Sequence, residues 1–206
     1  RAKNMIPQFK SDLILNPAHI TIGLKLMLWG YFMKLVVADR LAIYIDAIYG
    51  NLTQHNGDTI LFTSLLYPIQ VYADLGGYSL IAIGISKILG LDVMHNFNRP
   101  FFARSMAGFW RRWHISLIKW LTDYVYTPLS FSFRKYKQTG VVIALMITFF
   151  LSGLWHGATL NFIVWGLLQG VFLSVEALIN KRKIKITNQF KLETNTTYII
   201  FSITTT

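Results

Sequence analysis

The longest uncharged stretch of the chain runs from Gln138 to Val175, 38 residues without an aspartate, glutamate, lysine or arginine. About 20 apolar residues suffice for one helix to cross the hydrocarbon core of a bilayer. Only helices and closed barrels span a bilayer, because lipid offers no partner to backbone polar groups. The stretch, with its single ionisable residue His156, therefore predicts a polytopic, all-α integral membrane protein with two crossings here.

Composition agrees with a membrane protein. Hydrophobic residues make up 53% of the 206 residues and charged residues 14%, whereas a soluble domain has roughly 25% charged residues. The net charge of +11 comes from 20 basic and 9 acidic side chains. The basic residues stand in short runs beside apolar segments, which favours membrane lipid and excludes nucleic acid as the expected partner. The absence of cysteine removes thiolate nucleophiles and thiolate metal sites.

The domain prediction is one membrane domain over residues 1–206. The chain begins with Arg1, no signal peptide precedes its apolar segments, and it ends shortly after an apolar run begins. We therefore expect a fragment of a longer polytopic chain that has further N-terminal helices and more C-terminal sequence.

Several segments have distinct patterns. Residues 1–12 are polar and basic and predict a connector, in which Pro7 opens or breaks a short surface helix. Residues 19–37 predict a tilted span that ends at Asp39 and Arg40. Residues 59–86 predict a broken span or two packed helices, because the glycine pair at 76–77 weakens a helix. Residues 92–108 are rich in turn formers and predict irregular structure.

An amphipathic helix is predicted from Trp110 onward. At 100° per residue, one stripe contains Trp110, Trp113, Leu117, Leu121 and Tyr124, and the opposite face contains Arg112, Lys119 and Asp123. Aromatic residues opposite basic ones are typical of a helix that lies in the membrane interface.

The apolar hairpin places His156 inside the membrane. Basic runs at 134–137 and 181–185 put both hairpin ends on the cytoplasmic face. The 15 residues from Val141 to Trp155 rise about 22 Å as a helix, less than the roughly 30 Å core. An ionisable ring at that depth should face protein or a water-filled path and is a candidate general base. The alternative is a histidine that serves packing through a hydrogen bond to a helix carbonyl.

Three other features are candidates with open alternatives. His114 lies beside the aromatic stripe and is either functional or an interfacial histidine. Asp74, a lone carboxylate in an apolar stretch, either orients a substrate or histidine or forms a salt bridge with Lys25 or Lys34. Arg111 and Arg112 bind either a phosphate or carboxylate or lipid headgroups. No metal-ligand spacing is present, and no metal site is predicted.

The sequence resembles the membrane-bound O-acyltransferase family, in its bacterial alginate O-acetylation branch. The matching blocks are RAKNMIPQF at 1–9, DLGGYSLIAIG at 74–84, NFNRPFFARSMAGFWRRWHISL at 96–117, DYVYTPL at 123–129 and SGLWHGATLNFIVWG at 152–166. They cover the chain to about Asn180. A D-alanyl transfer branch shares both histidine blocks, so the branch assignment rests on RAKN and NFNRP.

The resemblance implies a role for particular residues. His156 in GLWHG matches the catalytic histidine of the family, and His114 in FWRRWH its second histidine, on the cytoplasmic side of a central tunnel. The other residues that the motifs mark for substrate binding are Asp74, Asn98, Arg99, Trp110, Arg111, Arg112, Trp113 and Trp155, with Arg99, Arg111 and Arg112 as contacts for donor phosphates.

The resemblance implies an enzyme in the bacterial inner membrane. It would move an acyl group, such as acetyl, from a cytoplasmic thioester to a hydroxyl of an extracytoplasmic polysaccharide, with His156 as general base. No tightly bound cofactor is expected; acetyl-CoA or an acyl carrier protein would be the co-substrate, and a partner acyltransferase could act outside the cell. The competing hypothesis is a transporter or channel in which His156, His114 and Asp74 form a proton path.

Overall fold

The computed structural model describes residues 2–10 and 16–180, and all regular secondary structure in these ranges is helical. The chain divides after Asn98 into two compact units. The first contains α1 (Ala2–Lys10), α2 (Pro17–Tyr49) and α3 (Gly57–Ile88), and the second contains α4 (Met106–Trp110), α5 (115–132), α6 (Lys137–His156) and α7 (Leu160–Asn180). Short 3₁₀ turns occupy Leu52–Gln54, Pro100–Phe102 and Arg134–Tyr136. The all-α prediction is confirmed.

Three helices are long and apolar enough to cross a membrane, as far as the described ranges show. They are Pro17–Tyr49, Leu160–Asn180 and the segment Arg134–His156, which is α6 with the 3₁₀ turn before it. The helix α3 is not among them; for its residues 59–86 the sequence predicts a broken span or two packed helices. The two crossings predicted for the uncharged stretch correspond to α6 and α7.

Helix α2 is longer than its sequence predicts. It begins after Asn16, whose side chain accepts a hydrogen bond from the Ala18 amide at 2.9 Å, as an N-cap residue does. The prediction that it ends at Asp39 and Arg40 is wrong, because the helix continues to Tyr49 through a π-helical segment at Phe32–Ala38. Lys34 Nζ lies 2.8 Å from a carboxylate oxygen of Asp39. The charge of Asp39, which is expected to end the helix, is therefore paired with a lysine of the same helix.

The predicted break at Gly76 and Gly77 is absent, and α3 is one continuous helix that also contains Pro68. A Cβ at Gly77 would lie 2.7 Å from the carbonyl oxygen of Gly30 on α2. A Cβ at Gly84 would lie 2.6 Å from the carbonyl oxygen of Gly23. These glycines let two backbones touch, as small residues do between membrane helices, and the packing outweighs their weak helix propensity.

The prediction that Pro7 opens or breaks a short helix in the connector at residues 1–12 is also wrong. Helix α1 continues through Pro7 and is attached to the loop after α3. The Gln8 side chain donates to the Asp92 carbonyl oxygen at 3.1 Å and accepts from the Asp92 amide at 2.7 Å. Residues 91–105 contain only the turn at Pro100–Phe102, so irregular structure is confirmed there, and α4 begins at Met106, two residues before the predicted end.

The predicted amphipathic helix starting at Trp110 is interrupted. Helix α4 ends at Trp110, residues 111–114 form a turn, and α5 begins at Ile115. A π-helical segment at Thr122–Tyr126 then departs from the 100° spacing. As a result, Leu121 is 4% exposed and Tyr124 60% exposed, although the projection put both on one stripe.

Helices α6 and α7 form an antiparallel hairpin. Gln138 near the start of α6 donates to the carbonyl oxygen of Ala177 near the end of α7, and Gly166 lies against Gly153. The 20 residues of α6 rise about 30 Å, the full hydrocarbon thickness for an upright helix. His156, the last residue of α6, lies inside the hydrocarbon core only if α6 is tilted. Its place inside the membrane therefore stays a prediction.

The hairpin makes the orientation testable. We expect single cysteines placed at Lys137 and Lys183 of the cysteine-free chain to react with an impermeant thiol reagent from the cytoplasmic side, because basic residues remain there. Lys183 lies outside the described residues. Labelling of either cysteine from the outside alone would contradict the cytoplasmic placement.

Candidate active site

His156 is the last residue of α6, and aromatic rings stand around it. The rings of Trp155 and Trp165 meet the imidazole edge to face, with centroids at 4.9 and 5.2 Å, and the ring of Phe162 stacks on it at 6.0 Å. The His156 side chain is exposed within the described part of the chain. The imidazole thus has a defined orientation and an open side to which a reactant has access.

Glycines bring the rings of α7 to His156. A Cβ at Gly153 would collide with the carbonyl oxygen of Phe162, and a Cβ at Gly157 would lie 2.7 Å from the Phe162 ring. The first turn of α7 therefore packs directly on the last turn of α6. This contact explains the small residues on both sides of His156, because they leave room for the close approach of α7.

His114 lies in the turn between α4 and α5. Its backbone is left-handed, with φ 43° and ψ 54°, a conformation that costs about 1 kcal/mol or more for a residue other than glycine. Its imidazole meets the indole of Trp155 edge to face at 6.1 Å. The 59% exposed Trp155 therefore contacts both histidines, and the strained turn is the means by which the second histidine reaches the hairpin.

The protonation of His114 follows from its surroundings. Burial holds the pKa of its imidazole below the ordinary value of 6.5, and the nearby charge of a protonated His156 lowers the pKa further. A histidine with a lowered pKa is neutral at pH 7, and a neutral ring can accept a proton or a hydrogen bond.

Trp110 attaches α4 to the hairpin. Its indole is 6% exposed and packs at 5.1 Å from Phe149 of α6 and at 5.9 Å from Trp165 of α7. Trp165 in turn contacts His156, so the position of α4 is coupled to the catalytic candidate through one ring. Trp113 stacks instead on Phe109 at 5.4 Å and belongs to the packing of α4.

The three arginine candidates are exposed. Arg111 and Arg112 lie in the same turn as His114, and Arg99 precedes Pro100 with a left-handed φ of 46°. The turn thus joins two exposed cations to the second histidine over a few residues, an arrangement that suits a phosphorylated donor or lipid headgroups.

Asp74 and Asn98 belong to the first unit. Asp74 lies 2.7 Å from Lys34 Nζ, which also binds Asp39. Asp74 thus forms the salt bridge with Lys34 that was one of its two predicted alternatives. Asn98 is exposed in the loop before Pro100. Substrate-binding roles for both stay predictions. Within residues 2–10 and 16–180, no group of three histidine, aspartate or glutamate side chains is placed to hold a metal ion.

Three residues of α7 near the site are not predicted from the sequence: Phe162, Trp165 and Glu176. The sequence does contain a signal for Phe162 and Trp165. The chain reverses direction just after His156, so the first residues of α7 lie beside the last turn of α6. Glu176 accepts hydrogen bonds from the backbone of α4, at 2.6 Å from the Met106 amide and at 3.2 Å from the Ala107 amide. No sequence pattern connects two segments 70 residues apart.

Known proteins are similar in sequence to most of this chain. The peptidoglycan O-acetyltransferase of Helicobacter pylori is 40% identical over 173 residues, 83% of this chain and 32% of the relative. A probable alginate O-acetylase AlgI of Pseudomonas putida is 36% identical over 184 residues, 85% of this chain and 36% of the relative. The teichoic acid D-alanyltransferase of Bacillus subtilis is 33% identical over 172 residues, 80% of this chain and 41% of the relative.

The chain spans about a third of the length of the first two relatives. The sequence model described as MBOAT, membrane-bound O-acyltransferase family, matches residues 12–200. This match includes both histidine blocks, the turn that carries His114 and the hairpin that carries His156. The chain therefore belongs to the membrane-bound O-acyltransferase family, with similarity to its alginate O-acetylase branch.

Proposed function

We propose that the protein is a membrane-bound O-acyltransferase in which His156 is the general base. The observation that carries the proposal is the pair of histidines on one indole: Trp155 lies 4.9 Å from the ring of His156 and 6.1 Å from that of His114. Family membership supports acyl transfer, and the exposed side of His156 is where an acceptor hydroxyl would bind.

The chemistry requires one group that takes up a proton. The acceptor oxygen attacks the thioester carbonyl carbon while His156 removes the hydroxyl proton. The C–O bond forms, the C–S bond breaks, and the thiolate leaves with the proton returned by His156, giving an ester and a free thiol. Positioned general bases contribute typically 10²- to 10⁴-fold to such steps. The neutral His114 would bind or orient the donor beside the arginine-containing turn.

The substrate assignment is part of the proposal. The donor is a cytoplasmic thioester, acetyl-CoA or an acyl carrier protein, and the acyl group is acetyl or a close relative. The acceptor is a hydroxyl of an extracytoplasmic polysaccharide, reached from the inner membrane through a tunnel and with an extracytoplasmic partner acyltransferase. Two kinds of relative, a peptidoglycan O-acetyltransferase and probable alginate O-acetylases, support a polysaccharide acceptor.

The transport alternative predicts a different activity. A proton path through His156, His114 and Asp74 would need Asp74 as a carrier, yet its carboxylate is paired with Lys34. Purified full-length protein in vesicles distinguishes the two functions. Release of free thiol from an acyl thioester with ester formation on a polysaccharide is expected, and proton movement without any thiol release would contradict acyl transfer.

The two exposed arginines beside His114 provide a test of the donor side. Arg111→Gln together with Arg112→Gln should raise the Michaelis constant for the thioester about tenfold or more and lower turnover less, because lost ground-state contacts act mainly on binding. The matched control is Arg134→Gln with Lys135→Gln, two exposed cations whose side chains lie over Phe131 and Tyr136. Wild-type constants in the first variant would assign these arginines to lipid headgroups.

A further inference from the structure

Glu176 is the one acidic residue of α7, and its carboxylate accepts hydrogen bonds from the backbone of α4 in the same unit. It is half-buried and accepts hydrogen bonds from the Met106 and Ala107 amides at 2.6 and 3.2 Å. The next amide, that of Gly108, is bound by the Ser105 hydroxyl at 2.9 Å. The free amides of the first turn of α4 are thus held by one side chain from α7 and one from the cap.

This contact lies at the far end of α4 from the histidine turn. At its other end, Trp110 packs on Phe149 and Trp165, and His114 follows four residues later. Apolar packing alone lets an indole slide or rotate, whereas a carboxylate that accepts two amide hydrogen bonds fixes both distance and direction. Two attachment points define the orientation of a short helix, and one does not.

We propose that Glu176 is a positioning residue for acyl transfer. Its carboxylate fixes α4 on α7 and thereby sets the place of the turn 111–114, with its two arginines and His114, relative to His156. The inference rests on the proposed function of the two histidines. The hairpin that holds His156 is built by the glycine contacts of α6 and α7, so loss of Glu176 moves the donor side and leaves the backbone of His156 in place.

The test compares Glu176→Ala with Glu176→Gln in the full-length protein, because an amide oxygen still accepts two hydrogen bonds and a methyl group accepts none. In Glu176→Ala we expect kcat/KM for the thioester donor to fall about tenfold or more, since a displacement of about 1 Å can cost on the order of 10²-fold. The Michaelis constant for the polysaccharide should not change. Glu176→Gln should recover most of the lost activity.

Two further measurements separate positioning from general stability. Gln138→Ala is the matched control, since it removes a hydrogen bond from α6 to the same turn of α7, at Ala177, without touching α4; it should keep wild-type donor kinetics. Hydrogen exchange should become about tenfold faster at the Met106 and Ala107 amides in Glu176→Ala and stay near wild type in Glu176→Gln.

Three results would overturn the assignment: unchanged exchange at these amides, faster exchange with unchanged donor kinetics, or an equal loss in Gln138→Ala. A full-length wild-type protein without acyl transfer would instead overturn the proposed function. The exchange measurement does not depend on activity, so it would still decide whether Glu176 holds α4.

Discussion

Replacement of His156 by alanine should abolish acyl transfer, with a loss of about 10²- to 10⁴-fold, while the protein still inserts and accumulates. The ring is exposed at the end of α6, so its removal opens no closed cavity and leaves the helix intact. The measurement is the acyl content of the product polysaccharide in cells that carry each full-length variant, normalised to the amount of protein in the membrane.

The amide variants separate a base from a packing residue. His156→Asn and His156→Gln keep polarity and much of the volume, but an amide does not take up a proton near neutral pH. A base therefore stays inactive in both variants, whereas a histidine that only packs against Trp155, Phe162 and Trp165 recovers activity. His55→Ala, in the connection between α2 and α3, is the matched control and should acylate normally. Near wild-type acylation in any His156 variant would contradict the assignment of His156 as the general base.

Addition of a single methyl group at Gly153 should have a large effect on stability. A Cβ there collides with the carbonyl oxygen of Phe162 and lies 3.3 Å from the Cα of Gly166. A backbone atom cannot move away as a flexible side chain can, so α6 and α7 must separate. Overpacking of this kind typically costs about 1 to 3 kcal/mol. We expect Gly153→Ala to lower Tm by several degrees and to reduce acyl transfer per molecule, because Phe162 and Trp165 shift away from His156.

The same substitution at Gly57 is the matched control. No other atom lies within 4 Å of a Cβ at that position, at the start of α3. Gly→Ala at an unstrained position stabilises by about 0.4 to 1 kcal/mol, through the unfolded chain. Thermal unfolding of the detergent-solubilised full-length protein should therefore show opposite or unequal shifts for the two variants. Equal Tm values for Gly153→Ala and the wild type would contradict the close packing of the hairpin.

Part of the structure can be predicted from the residue types within single segments. The uncharged stretch at 138–175 predicted a helical hairpin, and α6 and α7 are that hairpin, because the cost of unpaired backbone and of charge in lipid leaves few other solutions. The turn formers at 92–108 predict irregular backbone for a similarly local reason, and the prediction holds as far as residue 105. The histidine blocks FWRRWH at 109–114 and GLWHG at 153–157 predict the family, and the family match includes both.

Other predictions failed where contacts between distant residues decide. Gly76 and Gly77 are weak helix formers, yet α3 runs through them because Gly77 touches Gly30 on α2. Asp39 does not end α2, since Lys34 pairs with it. The single helical projection from Trp110 failed because the left-handed His114 starts a new helix, and no side-chain periodicity reports such a turn.

The sequence by itself determined the membrane character, the hairpin and the two candidate histidines, because each depends on residue types within one short segment. The tertiary structure alone decided that Trp155 lies against both imidazoles, that α7 supplies Phe162 and Trp165 around His156, and that Glu176 holds the start of α4. These contacts join residues up to 70 positions apart. Their geometry arises from backbone contact at glycines and from the Glu176 carboxylate, which accepts hydrogen bonds from two amides. No periodic pattern of residues in the sequence predicts either kind of contact.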